Sequence, residues 1–133
     1  MSLDSPLRVQ HLHLEDWPDH GVPDSAEGVA LLSGLMRGGG GLGDAAAAEG
    51  PTVVHCSAGI GRSGVLCAVD WVSAGAHVHG EAWAAGARPE EVVVAAVAAL
   101  RQQRAGMVQT PEQLAFAHEA ALLALKQRPL QHL

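Results

Sequence analysis

The chain has 133 residues, with 14 acidic and 8 basic side chains and a formal charge of −6. This length suits one domain with a single hydrophobic core. The charge balance argues against a nucleic-acid-binding surface, which would need clustered Lys and Arg. No apolar run in the sequence is long enough to span a bilayer. We therefore expect a domain with no nucleic-acid partner and no membrane segment.

The two cysteines, Cys56 and Cys67, are too few for a disulfide framework. They predict reduced thiols in a reducing compartment. The first residues also lack the basic and apolar regions of a secretory signal. The expected location is the cytoplasm.

The first predicted element is a half-buried strand over residues 7–14, where apolar and polar side chains alternate imperfectly. Residues 15–24 follow and contain two prolines and a glycine, so they predict a loop. This loop carries Trp17 and Asp19, and a Trp is an unusual residue for a loop.

A helix from about residue 25 to 36 is predicted next. Asp24, followed three positions later by Glu27, matches a capping box, and apolar residues at helical spacing come after it. Residues 37–50 are rich in Gly and Ala and predict a surface connector. Residues 52–54 are rich in β-branched apolar side chains and predict a buried parallel strand.

The second half of the chain predicts three more helices. The loop 55–64 leads into a helix that starts near residue 62, is apolar on all sides and ends near Gly75. Pro89 and the acidic residues after it open a helix that reaches residue 104, and a last helix covers about 111–125. This order of strands and helices predicts an α/β fold of three layers, with the second strand in the centre.

The loop 55–64 has the composition of a phosphate-binding loop. Five residues separate Cys56 from Arg62, and glycines let the backbone curve tightly. Backbone N–H groups before a helix can bind a negative charge, either a Cys56 thiolate or phosphoryl oxygens. The planar guanidinium of Arg62 can bind two oxygens at once. The predicted phosphate-binding residues are Ser57, Ala58, Gly59, Ile60, Gly61 and Arg62.

Other positions can supply the remaining steps of a phosphoryl transfer. The leaving oxygen needs a proton, and Asp19, on a loop bounded by prolines, is the candidate acid. A neutral amide can position the hydrolytic water without repelling the phosphate, and Gln109 and Gln113 are the candidates. The neighbouring Asp16 is expected to remain solvated.

Three motifs resemble those of the phosphotyrosine-specific protein tyrosine phosphatases. Residues 54–64, VHCSAGIGRSG, are similar to the signature loop of that family. Residues 17–23, WPDHGVP, are similar to its mobile acid loop, and residues 109–114, QTPEQL, to its glutamine loop. The resemblance runs from about residue 9 to 125. It implies the phosphatase-like three-layer α/β fold and hydrolysis of phosphotyrosine in protein substrates through a cysteinyl-phosphate, without a metal or other cofactor.

The resemblance also implies a role for each matching residue. Cys56 is the nucleophile, Arg62 the phosphate clamp and Asp19 the general acid. Gln109 positions the hydrolytic water, and Gln113 assists it and contacts the substrate.

Two neighbours of the cysteine complete the implied site. His55 orients the loop and lowers the thiol pKa, and the Ser63 hydroxyl bonds the sulfur and helps it leave. The whole chain, 1–133, is then part of one catalytic domain. Its segments are the acid loop at about 15–24, the connector at about 37–50, the phosphate loop at 55–64 and the glutamine loop at about 107–114.

The sequence also departs from the family pattern. The catalytic domain of the family extends well upstream of the acid-loop strand, so we expect this chain to be the C-terminal half, with the N-terminal half missing. The upstream half carries a Tyr that deepens the pocket for phosphotyrosine, whereas this chain has no Tyr. The family also has a loop with a Lys near the acid loop, whereas the single Lys of this chain is Lys126.

Two alternatives stay open. One is a phosphate-binding or regulatory fragment with impaired catalysis, and the other is a dual-specificity phosphatase, whose domain is shorter and whose pocket is shallower. A metal site at His77 and His79 is not favoured, because one His-x-His pair without further ligands is more typical of a loop.

Overall fold

The computed structural model describes residues 9–36, 51–74 and 88–127, together with Pro6 and Gly86. These residues form four helices, and each lies within two residues of its predicted bounds. The helices are α1 (Glu27–Met36), α2 (Arg62–Ala74), α3 (Pro89–Gln103) and α4 (Pro111–Gln127). The predicted helices are therefore confirmed. The connector at 37–50 and the pair His77 and His79 lie outside the described residues.

The start of α1 differs from the predicted capping box. The Glu27 backbone N–H donates to the Ser25 hydroxyl at 3.2 Å, and Asp24 is exposed. The helix therefore begins two residues later than expected. A hydroxyl replaces the predicted carboxylate as the acceptor at its first turn.

Helix α2 lies at the centre of the helical core and packs against the other three helices. Its apolar residues point in all directions, as predicted, and Val65, Val69 and Val72 are fully buried. Helix α4 contributes small side chains to the same core, which lets the helices approach closely. The N-terminus of α2 is thereby held in a fixed place, and the loop that precedes it is the predicted phosphate loop.

The predicted strands do not form within the described part of the chain. Residues 9–14 and 51–56 have no regular secondary structure, and two of their side chains, Val9 and Val53, are 76% and 80% exposed. A strand is stabilised by a hydrogen-bond ladder to a neighbour, and no ladder joins these segments to described residues. The three-layer α/β arrangement is therefore not confirmed here, and the described fold is helical.

None of the helices within the described ranges is long and apolar enough to cross a membrane.

Gly64 lies where α2 meets the glutamine loop, and Gly64→Ala is expected to destabilise the chain. An added Cβ would lie 2.5 Å from the Val108 backbone nitrogen and 3.2 Å from the Met107 carbonyl carbon. Backbone atoms cannot move aside as a flexible side chain can, so the free energy of unfolding should fall by about 1–3 kcal/mol. Urea unfolding monitored by circular dichroism measures this change.

The matched control is Gly34→Ala on the exposed face of α1. An added Cβ there meets no atom within 4 Å. Because Ala is the better helix former, this variant should gain about 0.5–1 kcal/mol. Loss of stability in both variants, or in neither, would contradict the assigned backbone contact at Gly64.

Candidate active site

The phosphate loop places Cys56 directly before the N-terminus of α2. Gly59 has a φ of +77°, in the left-handed region that favours glycine. This conformation turns the Gly59 N–H towards Cys56, where it donates to Sγ at 3.2 Å. The Gly64 N–H bonds the Ile60 carbonyl at 3.2 Å and starts the helix. The sequence thus folds the loop around the sulfur rather than away from it.

The pKa of the Cys56 thiol is lowered from its ordinary value of 9.0 to about 7. Burial is the largest single influence and by itself raises this pKa. The Ser63 hydroxyl and backbone, the Gly59 N–H and the charge of Arg62 together outweigh burial. The Ser63 hydroxyl oxygen is buried and has no hydrogen-bond partner of good geometry among the described residues. Ser63 therefore lowers the Cys56 pKa without a well-formed hydrogen bond from its hydroxyl to Sγ.

Arg62 connects the phosphate loop to the acid loop. Its Nη1 donates to the Trp17 carbonyl oxygen at 3.0 Å, and its Nη2 lies 3.4 Å from Asp19 Oδ1. Its Nε is buried and has no hydrogen-bond partner in the part of the chain that the structure describes. Because a buried N–H without a partner is costly, an acceptor oxygen that reached this donor would stabilise the site.

The buried Trp17, which is 7% exposed, anchors the acid loop in the core. Its ring packs on Phe116 of α4 at 5.7 Å between centroids, and its Nε1 donates to the Gly21 carbonyl at 3.0 Å. The Gly21 N–H in turn donates to the Pro18 carbonyl at 3.1 Å. This turn fixes the tip of the loop, so the exposed Asp19 carboxylate faces Arg62.

The glutamine loop lies over the phosphate loop. A Cβ at Gly61 would collide with Gln109 Oε1, which places that amide directly above the loop backbone. Gln113 is fully buried, and its Oε1 accepts the backbone N–H groups of Gln109 at 2.9 Å and Thr110 at 3.3 Å. Its Nε2 donates to the Gly21 carbonyl at 3.3 Å. Gln113 therefore joins the glutamine loop to the acid loop.

Val108 occupies an unfavourable backbone conformation beside this loop. Its φ is +65°, which is rare for a β-branched residue. The Val108 N–H donates to the Ile60 carbonyl at 2.9 Å, and Arg101 Nη2 donates to the Val108 carbonyl at 2.7 Å. Arg101 Nε also donates to the Met107 carbonyl at 2.8 Å. These bonds hold the backbone in place and set the position of Gln109.

The remaining predicted residues lie as follows. His55 is exposed and its ring lies 6.4 Å from that of His11, so it faces away from the helical core. Ser57 and Ala58 are exposed on the loop. Cys67 is half-buried on α2, and burial raises its pKa, with Asp70 adding to the effect. Within the described ranges, no three His, Cys, Asp or Glu side chains are grouped to hold a metal ion.

Two arginines at the end of α3 also belong to the site, although no role was predicted for them. Arg101 holds the glutamine loop, as above, and Arg104 Nη2 donates to the Ala58 carbonyl at 3.2 Å. A signal for them was present in the basic end of a helix followed by a glycine, Gly106. Spacing alone does not show which carbonyl groups these side chains reach.

The chain belongs to the protein-tyrosine phosphatase family, because the sequence model of that family matches residues 2–123. It is 39% identical over 117 residues to protein-tyrosine-phosphatase PTP1 of Arabidopsis thaliana, covering 88% of this chain and 31% of that protein. It is 36% identical over 118 residues to tyrosine-protein phosphatase non-receptor type 61F of Drosophila melanogaster, covering 89% of this chain and 19% of that protein. It is 40% identical over 108 residues to tyrosine-protein phosphatase non-receptor type 18 of Mus musculus, covering 81% of this chain and 21% of that protein. The chain thus spans less than a third of the length of these relatives.

Proposed function

We propose that this chain hydrolyses phosphotyrosine in protein substrates through a cysteinyl-phosphate intermediate. The observation that carries the proposal is the meeting of three groups at one place. Cys56 has a thiol pKa lowered to about 7, Arg62 has a buried unpaired donor, and Asp19 lies 3.4 Å from that guanidinium. The names of the relatives support the same activity and substrate class.

In the first step, the Cys56 thiolate attacks phosphorus and the bond from phosphorus to the tyrosyl oxygen breaks. The loop N–H groups and Arg62 stabilise the charge on the phosphoryl oxygens. Asp19 transfers its proton to the leaving tyrosyl oxygen. The Ser63 hydroxyl stabilises Cys56 as a thiolate, which supports its assigned role.

In the second step, a water attacks the cysteinyl-phosphate and the sulfur–phosphorus bond breaks. The Asp19 carboxylate takes the proton from this water, which regenerates the acid and releases inorganic phosphate. Gln109 lies above the loop backbone, and we assign it to positioning this water. Gln113 is buried, so we assign it to positioning Gln109 and the acid loop rather than to direct contact with the substrate.

We extend the proposal to the organisation of the chain. It is part of one catalytic domain with the acid, phosphate and glutamine loops at about 15–24, 55–64 and 107–114. We assign the segments around Val9 and Val53 to strands of an α/β three-layer domain: they have no ladder with the described residues, and their exposed apolar side chains support the assignment. The location proposed for the domain is the cytoplasm.

Turnover of a phosphotyrosyl peptide by the purified chain tests the proposal. Phosphate release is measured against the same peptide carrying phosphoserine, with circular dichroism to establish that the chain is folded. We expect release from the phosphotyrosyl peptide at a rate at least about tenfold above that from the phosphoseryl peptide. Equal rates for the two peptides would indicate a dual-specificity phosphatase instead.

A phosphate-binding or regulatory role is the second candidate. It is favoured by the exposed apolar side chains of Val9 and Val53, which lie in segments without regular secondary structure. Calorimetric titration of the folded chain with inorganic phosphate, run beside the peptide assay, separates the two. Phosphate binding without peptide turnover would replace the hydrolase proposal with this one.

A further inference from the structure

The peptide group between Ala58 and Gly59 is held at both ends. Its carbonyl oxygen accepts a hydrogen bond from Arg104 Nη2 at 3.2 Å. Its N–H, which belongs to Gly59, donates to Cys56 Sγ at 3.2 Å. One peptide plane therefore links a guanidinium at the end of α3 to the sulfur at the centre of the phosphate loop.

Gly59 cannot fix the orientation of this peptide by itself. A glycine lacks the Cβ that restricts its backbone, so both orientations of the adjoining peptide are open to it. A flipped peptide would present the Ala58 carbonyl oxygen to the sulfur and repel a thiolate. Arg104 opposes the flip, because its cation binds the carbonyl on the far side. It lies directly against the loop, with Nη2 at 3.3 Å from where a Gly59 Cβ would be.

We propose that Arg104 is a positioning residue, which holds the 58–59 peptide so that the Gly59 N–H points at Cys56 and keeps that cysteine reactive. The cation also polarises the peptide and strengthens its N–H as a donor. Arg104 thus acts through Gly59 and has no contact with the reacting atoms. This inference rests on the proposed function, because it takes Cys56 as the nucleophile.

The size of the effect is limited by solvent. Arg104 is exposed, so water screens its charge. The Gly59 N–H is also only one of several groups that lower the Cys56 pKa, beside Ser63 and Arg62. The titratable side chains of the adjoining loops, Asp19 and His55, are present in every Arg104 variant. Loss of the guanidinium should raise the Cys56 pKa by about half a unit, which leaves roughly threefold less thiolate below pH 7.

Alkylation with iodoacetamide measures this without any need for turnover. The rate at Cys56, followed by mass spectrometry of its peptide from pH 5.5 to 9, gives the midpoint of thiolate formation. Arg104→Gln and Arg104→Ala should both move the midpoint upward by about half a unit. Arg104→Lys keeps the charge and should recover part of the shift. Arg88→Gln removes the same charge from the other end of α3 and should leave the midpoint unchanged.

Two results would overturn the inference. One is an unchanged midpoint in folded Arg104→Gln or Arg104→Ala, and the other is an equal shift in Arg88→Gln. Where the chain turns over substrate, kcat/KM of the Arg104 variants should fall about threefold at pH 6 and approach that of the parent chain at pH 8.5. A chain that alkylates as expected but hydrolyses nothing would refute the proposed function and leave the role of Arg104 supported.

Discussion

Cys56→Ser should abolish phosphatase activity, with kcat reduced on the order of 10⁴-fold or more. A serine hydroxyl stays protonated at neutral pH, so the Gly59 N–H and Arg62 have no anion to stabilise at that position. The remaining loop still offers its N–H groups and Arg62 to a phosphate. Hydrolysis of a small aryl phosphate and calorimetric binding of inorganic phosphate should therefore separate, with the first lost and the second retained.

Cys67→Ser is the matched control for this variant. Cys67 lies half-buried on α2, and its pKa is raised by burial, so it is a poor nucleophile. Its variant should keep activity within about twofold of the parent chain. Comparable losses at Cys67 and Cys56, or full activity in Cys56→Ser, would remove Cys56 from the role of nucleophile.

Asp19→Asn should reduce kcat/KM for a phosphotyrosyl peptide by about 10²–10³-fold, because the amide cannot give a proton to the leaving oxygen. The loss should be much smaller for an aryl phosphate whose phenolate is stable without protonation. This dependence on the leaving group separates a general acid from a residue that only holds Arg62. Both losses are measured as kcat/KM at the pH of maximal activity of the parent chain.

Asp16→Asn provides the comparison, since Asp16 is another exposed carboxylate of the same loop. It should leave both substrates within about twofold of the parent rates. An Asp19→Asn loss that is equal for good and poor leaving groups would argue for a purely structural role. If Asp16→Asn loses as much activity as is expected for Asp19→Asn, the assignment of Asp19 as the general acid is wrong.

The helices could be predicted from the sequence because apolar periodicity and terminal residues are local signals. Helix α2 is an example, since its apolar residues on all sides required burial from every direction. The strands could not be verified in the same way. An extended segment such as 51–56 becomes a strand only through a partner, and its own residues do not specify one.

In the candidate site, too, local features were predictable and long-range contacts were not. Cys56, Arg62 and Asp19 were predicted because each carries chemistry that its own loop suggests. The bond from Arg62 to the Trp17 carbonyl and the bond from Arg104 to the Ala58 carbonyl each join residues about 45 positions apart. Such contacts depend on how the helices pack, and the receiving backbone oxygen has no signature in the sequence.

Gln113 illustrates the difference between a motif and a role. The motif places it on the glutamine loop at the start of the last helix, yet its full burial and its bonds to three backbone groups were not predictable from spacing. A glutamine at a helix start is more often a surface residue. Here its amide serves as a structural cross-link, because its oxygen accepts two backbone N–H groups of the glutamine loop and its NH₂ donates to a carbonyl of the acid loop.

Val108 limits which sequences can occupy the junction of the glutamine and phosphate loops. Its left-handed backbone costs a valine about 1–2 kcal/mol, which a glycine would avoid. Its side chain is 1% exposed, and burial of a valine contributes about 1.5–3 kcal/mol, which a glycine would forfeit. The backbone cost and the burial gain oppose each other and are similar in size, so replacing Val108 by glycine offers no clear gain in stability. Substitution at this position is therefore opposed both by the left-handed backbone and by the loss of buried surface. Natural sequence variation should concentrate on the neighbouring positions instead.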